Sequence, residues 1–308
     1  MRGARVLVTG ANGFLGKHVV SLLTERGYRV STLGRGKSAH GLPHFQMDLA
    51  REVPQDAVRG VDAVVPLASD VGIARSIADP SGHMVGNLAM TLNILKACSI
   101  LQTKPLVVYL SSDRVYGKAR GRVTEQSPTF PVEPYTASKI MSEVALATYA
   151  NLFEIPYIAL RASAFFGPHQ PRRGFISDVI QKMIEQDAIT VGPLKSVKNF
   201  TYVGNVAAAV HAALKAPRST YNRAYNIGGK PVSLLGVLTQ CKTIVEQRLS
   251  KKIRIHIDRS IRLPQQNEIG AFSLSTASAQ KTLHWKETVS LKEGLERTVD
   301  YFLAPESK

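Results

Sequence analysis

Cysteine is scarce in this chain. Cys98 and Cys241 are the two thiols in 308 residues, far apart, so no disulfide framework is expected and reduced thiols in a cytoplasmic protein are. Long apolar runs are missing as well. No stretch approaches the ~20 uninterrupted apolar residues that span a bilayer. The first apolar run is too short for a signal core and ends in glycines, so it belongs to the fold. The eight histidines show no metal-ligand spacing, and no metal is expected. Acid is the other shortage: 23 Asp and Glu stand against 39 Lys and Arg, a formal charge of +16. Such an excess invites a nucleic-acid or anionic-membrane reading. Its densest stretch, Arg248 to Arg262, argues against both. There Ile253, Ile255 and Ile257 alternate with Lys252, Arg254 and His256, as in a strand with one wet face, and no aromatic ring interleaves to stack on bases. A solvated basic surface is the expectation, with no nucleic-acid and no membrane partner.

An apolar fraction of 44% is that of a soluble globular protein, and 308 residues suit one large or two interlocked domains. Strands are predicted at Arg5–Thr9, Arg29–Leu33, His44–Met47, Ala63–Leu67, Leu106–Ser111 and Tyr157–Leu160, and helices at Phe14–Arg26, His83–Leu101 and Tyr135–Leu152. That alternation implies an α/β, Rossmann-like doubly wound parallel sheet with ligands outside the carboxyl ends of its strands. After Arg161 the rhythm becomes irregular, which suits a smaller interleaved α/β substrate-binding domain. The expected division is residues 1–163 plus 198–228 for the dinucleotide-binding domain and 164–197 plus 229–308 for the substrate-binding domain.

Two local patterns carry chemistry. The first strand runs into Gly10-Ala11-Asn12-Gly13-Phe14-Leu15-Gly16 and then a helix. Glycines at this spacing allow a tight turn, close approach of backbone to a pyrophosphate, and close packing of helix on strand. The helix N-terminus offers free N–H groups to the phosphates. Asn12, Phe14 and Leu15 are candidate cofactor contacts beside Gly10, Gly13 and Gly16. The second pattern is Tyr135 and Lys139, four apart and so on one helix face. A neighbouring ammonium stabilises a phenolate, which makes proton exchange with a substrate hydroxyl feasible.

Together with Ser111-Ser112-Asp113-Arg114-Val115-Tyr116-Gly117, these motifs resemble the extended short-chain dehydrogenase/reductase family, closest to its nucleotide-sugar epimerases, dehydratases and ketoreductases. The resemblance continues through Asn87, Arg161, Gly167-Pro168, Asn199 to Val203 and Tyr225 to Gly229. It implies a catalytic set of Ser112, Tyr135 and Lys139, with Ser111 the adjacent competitor, since strand alternation turns one of the two serines to the site. Lys139 is also expected to hold the nicotinamide ribose. It further implies cofactor contacts at Asp48, Leu49, Leu67, Ala68, Asn87 and Ala162. The end of the second strand reads Gly34-Arg35, without the carboxylate that would hold a ribose 2′-hydroxyl, so NADP is favoured, with NAD as the alternative.

The substrate side departs from the family. Arg114 stands where dehydratases carry the second acid of an Asp-Glu pair, so dehydration is disfavoured. Ala164 replaces a common Asn, Lys198-Asn199 an Arg-Asp, and Gly204-Asn205 an Asp-Asp. Asp113, Arg114, Lys198 and Arg172, with Arg173 beside it, are the candidate substrate contacts. The resulting expectation is an NAD(P)-dependent oxidoreductase acting at carbon 4 of a nucleotide-sugar, foremost a 4-ketoreductase. An NAD-dependent 4-epimerase is the first alternative and a non-catalytic NADP-binding sensor or scaffold the second. A homodimer is expected, paired through the helices around Asn87–Leu101 and Ile140–Leu152, which ordinary packing on the sheet explains equally well.

Overall fold

The computed structural model describes residues 3–38, 41–172, 174–261 and 272–304. Arg173 and Arg262 lie outside them. Seven parallel strands form the main sheet: β1 (Arg5–Thr9), β2 (Arg29–Gly34), β3 (His44–Gln46), β4 (Ala63–Pro66), β5 (Leu106–Ser112), β6 (Tyr157–Ala162) and β7 (Arg223–Ile227). Their order is β7-β6-β5-β4-β1-β2-β3, so the winding reverses between β1 and β4. Residues along β1 show why both faces are covered. Val6 and Val8 join a core with Leu15, Val19 and Leu23 of the helix α1 (Phe14–Glu25). Leu7 points the other way, into a core with Ile94 and Leu95 of α2 (Pro80–Ser99) and Leu146 of α3 (Pro134–Phe153). Apolar residues on both sides of each strand require helices on both sides of the sheet.

Helix starts follow the local chemistry. Pro80 and Pro134 open α2 and α3, where a missing N–H costs nothing, and the Asp79 carboxylate accepts from the Gly82 amide at 3.0 Å. α1 differs: Gly13 precedes it and no side chain caps it. The smaller part of the chain is built on Ala164–Phe166, Val197–Tyr202 and Pro231–Ser233, which form a separate three-stranded sheet. Within residues 198–228, the return to the main sheet is made by the last strand rather than the first. Val197–Tyr202 pairs with Ala164–Phe166, and only Arg223–Ile227 rejoins the large sheet, beside β6. The basic strand appears as Arg254–Ile257, paired with Ala188–Val191; Ile253 is buried, but Ile257 is exposed, because this pair has no third strand to cover it among the described residues.

Candidate active site

Two clefts meet over the carboxyl ends of β1, β4 and β5. The first, of about 790 Å³, runs from Gly10, Asn12 and Gly13 to Arg35, Asp48 and Leu49, with Leu67 and Ala68 as one wall. Gly10 is indispensable to this shape. Its φ is +65°, and a Cβ there would sit 2.7 Å from the Ala68 nitrogen. Gly16 makes the helix contact: a Cβ would lie 2.2 Å from the Gly10 carbonyl oxygen. Gly16 thus shapes the turn from behind, and Leu15 is buried in the core beside it. Phe14 faces the second cleft instead and stacks on Phe165 with ring centroids 5.5 Å apart. Because no side chain caps α1, its first-turn N–H groups are left for an anion at the Gly10–Gly13 turn.

The second cleft, of about 580 Å³, shares Leu67, Ser69 and Val71 with the first. Ser112, Asp113, Arg114, Tyr135, Lys139, Ala162 and Lys198 all line it. The Lys139 ammonium donates to the Leu110 carbonyl at 2.9 Å and lies 5.7 Å from the centre of the Tyr135 ring. Burial raises the Tyr135 phenol above its ordinary value, and the charge of Lys139 is the largest effect pulling it back down. Enclosure thus outweighs the lysine here, because a phenolate loses more by leaving water than one partly desolvated ammonium returns. Both serines at the end of β5 reach the cleft wall, but they are not equivalent. Ser111 donates its hydroxyl to Glu143, whereas Ser112 accepts from the Arg114 amide at 3.2 Å and turns its proton toward the Asp113 carboxyl beside it.

Asp113 is buried, and burial pushes its carboxyl up to about 7, against the charges of Arg114 and Lys198 and a hydrogen bond from Ser112. The folded protein therefore holds this proton more tightly than the unfolded chain, whose carboxyl titrates near 3.8. Stability is lost as pH rises between those two values and is constant above them. Asp113→Asn is expected to match the wild type near pH ~4 and to exceed it by on the order of a few kcal/mol near pH ~8. Urea denaturation at the two pH values measures the difference; an equal margin at both would contradict a strained carboxylate.

Besides Leu15 and Gly16, two further sequence-predicted residues stand off the clefts. Asn87 is buried, and its amide is spent on the loop after β4: Oδ1 accepts from the Asp70 amide at 2.8 Å and Nδ2 donates to the Asp70 carbonyl at 3.0 Å. It shapes the cleft wall without lining it. Arg172 forms ion pairs with Asp178 at 3.4 Å and Glu185 at 2.8 Å, on the outside of the smaller sheet region and away from the cleft lining.

Other residues were not legible as part of the site. Glu133 holds Arg114 by Nε at 2.9 Å and also accepts from Thr136. Glu143 receives Ser111 and Arg161, and Arg161 reaches the Tyr116 hydroxyl at 3.0 Å, which donates to Asn226 at 2.7 Å. The one available sign was the position of Glu143, four residues after Lys139 on the same helix face.

Arg114 Nη2, Ser163 Oγ and Gln170 Oε1 are buried without a hydrogen-bond partner among the described residues, and all three residues line the second cleft. Such groups call for a polar ligand. The glycine turn, the uncapped helix and the long first cleft fit a dinucleotide with its pyrophosphate at α1. Its far end has Gly34 and Arg35 rather than an acid closing β2.

Residues 6–228 match the profile of the NAD dependent epimerase/dehydratase family. A putative UDP-glucose 4-epimerase of Methanocaldococcus jannaschii is 29% identical, over 96% of this chain and 97% of that protein. Among solved structures, the UDP-glucose 4-epimerase of Thermus thermophilus in complex with NAD is similar with a TM-score of 0.83 and 26% identity, covering 98% of this chain and 99% of that one. The UDP-glucuronic acid 4-epimerase of Bacillus cereus, in complex with UDP-glucuronic acid and NAD, is similar with a TM-score of 0.85 and 25% identity, covering 97% and 98%.

Proposed function

Because this chain belongs to the NAD dependent epimerase/dehydratase family, we propose that it is a nucleotide-sugar 4-epimerase working with a retained NAD. The observation that carries the reading is the convergence of Ser112, Tyr135 and Lys139 on a cleft that shares its wall with the glycine-turn cleft. The names of the relative and of the two structural neighbours given above, each a UDP-sugar 4-epimerase or described as a putative one, support epimerisation over the net 4-keto reduction expected first.

In this reading the glycine turn and α1 bind the pyrophosphate, and Asp48 and Leu49 bound the adenine end. Bound NAD supplies the hydride acceptor that becomes the hydride donor within one cycle. Tyr135 takes the proton from the sugar 4-hydroxyl oxygen and returns it there. Ser112 donates its hydrogen bond to that same oxygen. Lys139 favours the phenolate and anchors the nicotinamide ribose. Lys198, at the cleft mouth, offers one positive charge to the substrate diphosphate, without the bidentate geometry of an arginine. The remaining walls are mainly apolar, with Phe165, Phe200, Leu234 and Phe272, so a sugar ring can turn over between its two faces without breaking fixed hydrogen bonds.

The test uses the purified protein with no cofactor added. UDP-glucose is expected to equilibrate with UDP-galactose, or UDP-glucuronate with its 4-epimer, as followed by proton NMR, and denaturation is expected to release NAD. A second reading, an NADPH-dependent 4-ketoreductase, is favoured by Gly34-Arg35 at the end of β2, where nothing repels a 2′-phosphate. Stoichiometric NADPH consumption with a 4-keto sugar, and no equilibration of the hexoses, would establish that reading in place of the first.

A further inference from the structure

His83 lies one turn before Asn87 on α2, with its side chain 3% exposed. Its ring meets the Tyr135 ring edge-on, at 6.3 Å between centroids and 64° between planes. Its protonation state follows from the backbone. The Asp70 amide can only donate and the Asp70 carbonyl can only accept, so Asn87 must present Oδ1 to the first and Nδ2 to the second. Nδ2 then also faces His83 Nε2 at 3.0 Å, which must be the accepting nitrogen. The imidazole proton sits on Nδ1, 4.0 Å from an Asp70 carboxylate oxygen.

We propose that His83 is a positioning residue for Tyr135, seating its ring and, through Asn87, clamping the loop from Ser69 to Val71 that walls both clefts. The clamp is two-sided: Asn87 Oδ1 holds the Asp70 amide and the Ser69 hydroxyl, while the Nδ2 hydrogen not used by the Asp70 carbonyl is shared between His83 at 3.0 Å and Ser138 on α3 at 3.3 Å. The loop after β4 and the helix that carries Tyr135 are therefore tied through one amide, whose orientation the Asp70 backbone sets and whose second N–H His83 accepts. This role rests on the reading of Tyr135 as the proton-exchanging group.

The experiment compares the full-length protein with His83→Phe, which keeps a ring and loses both nitrogens, and His83→Gln, which keeps an acceptor and loses the ring. His83→Phe is expected to lower kcat about tenfold with KM within about twofold, and to speed hydrogen exchange at the Asp70 amide. His83→Gln is expected to keep that amide slow while kcat stays low. Wild-type kcat in both variants, or an Asp70 amide that exchanges no faster in His83→Phe than in the wild type, would overturn the proposal. So would an unprotected Asp70 amide in the wild type, which needs no variant to fold. If the wild type turns over no nucleotide-sugar while His83→Phe still frees the Asp70 amide, the reaction assignment fails and the clamp is supported.

Discussion

Tyr135→Phe is expected to reduce epimerisation by about 10³-fold or more while the protein still retains its nucleotide. In the proposed epimerisation the phenol oxygen moves the proton at the sugar 4-hydroxyl, and general acid–base steps of this kind contribute about 10²–10⁴-fold. The rest of the side chain is a ring. Phenylalanine preserves its edge-on contact with His83 and its place over Lys139, so cleft and fold remain. The glycine turn and α1 are untouched, which separates binding from chemistry. Proton NMR of UDP-hexose equilibration gives the rate, and nucleotide released on denaturation gives the occupancy. A variant that turns over like the wild type would remove Tyr135 from the mechanism; one that arrives empty would assign it to cofactor binding.

Arg161→Met is expected to destabilise the protein by about 3–5 kcal/mol, the scale for removing one member of a buried ion pair. Arg161 is buried on β6, with Nη2 2.7 Å from Glu143 and Nη1 3.0 Å from the Tyr116 hydroxyl. The Glu143 side chain is 14% exposed and would keep the Ser111 hydrogen bond and the more distant charge of Lys139. The loss is therefore dominated by an uncompensated charge rather than by missing contacts. Replacing Glu143 by leucine in the same protein is expected to recover most of it, because no charge then remains to be desolvated. Chemical denaturation of the single and double variants measures both terms. A double variant as unstable as Arg161→Met would mean that shape, not charge, is what Arg161 supplies.

The parts legible in the sequence are those set by residues near one another along the chain. Val6 to Val8 and the glycines after them specify a strand, a turn and a helix within twelve residues, and Tyr135 and Lys139 share a face by helical geometry alone. Residues joined across the sheet were not legible in that way. Asn87 reads as a cofactor contact, yet its amide is consumed by Asp70 and Ser138. Arg172 reads as a loop cation for a phosphate, yet Asp178 and Glu185 hold it. Glu133 and Glu143 look like ordinary surface acids of a helix and its approach until Arg114 and Arg161 fold onto them. The tilt of Tyr135 toward a raised pKa also needed the fold, because enclosure is a property of everything packed around the ring.

By itself, then, the chain's order of residues determined a doubly wound sheet, a phosphate-ready first turn and a tyrosine with its lysine, because period and spacing act over a few residues. Tertiary structure alone decided which partner each hydroxyl of Ser111 and Ser112 takes, which cations are already paired, and that the His83 ring meets the tyrosine. Those outcomes depend on hydrogen-bond partners that lie tens of residues away, and a side chain's chemistry is settled only when its donors and acceptors have been counted in space.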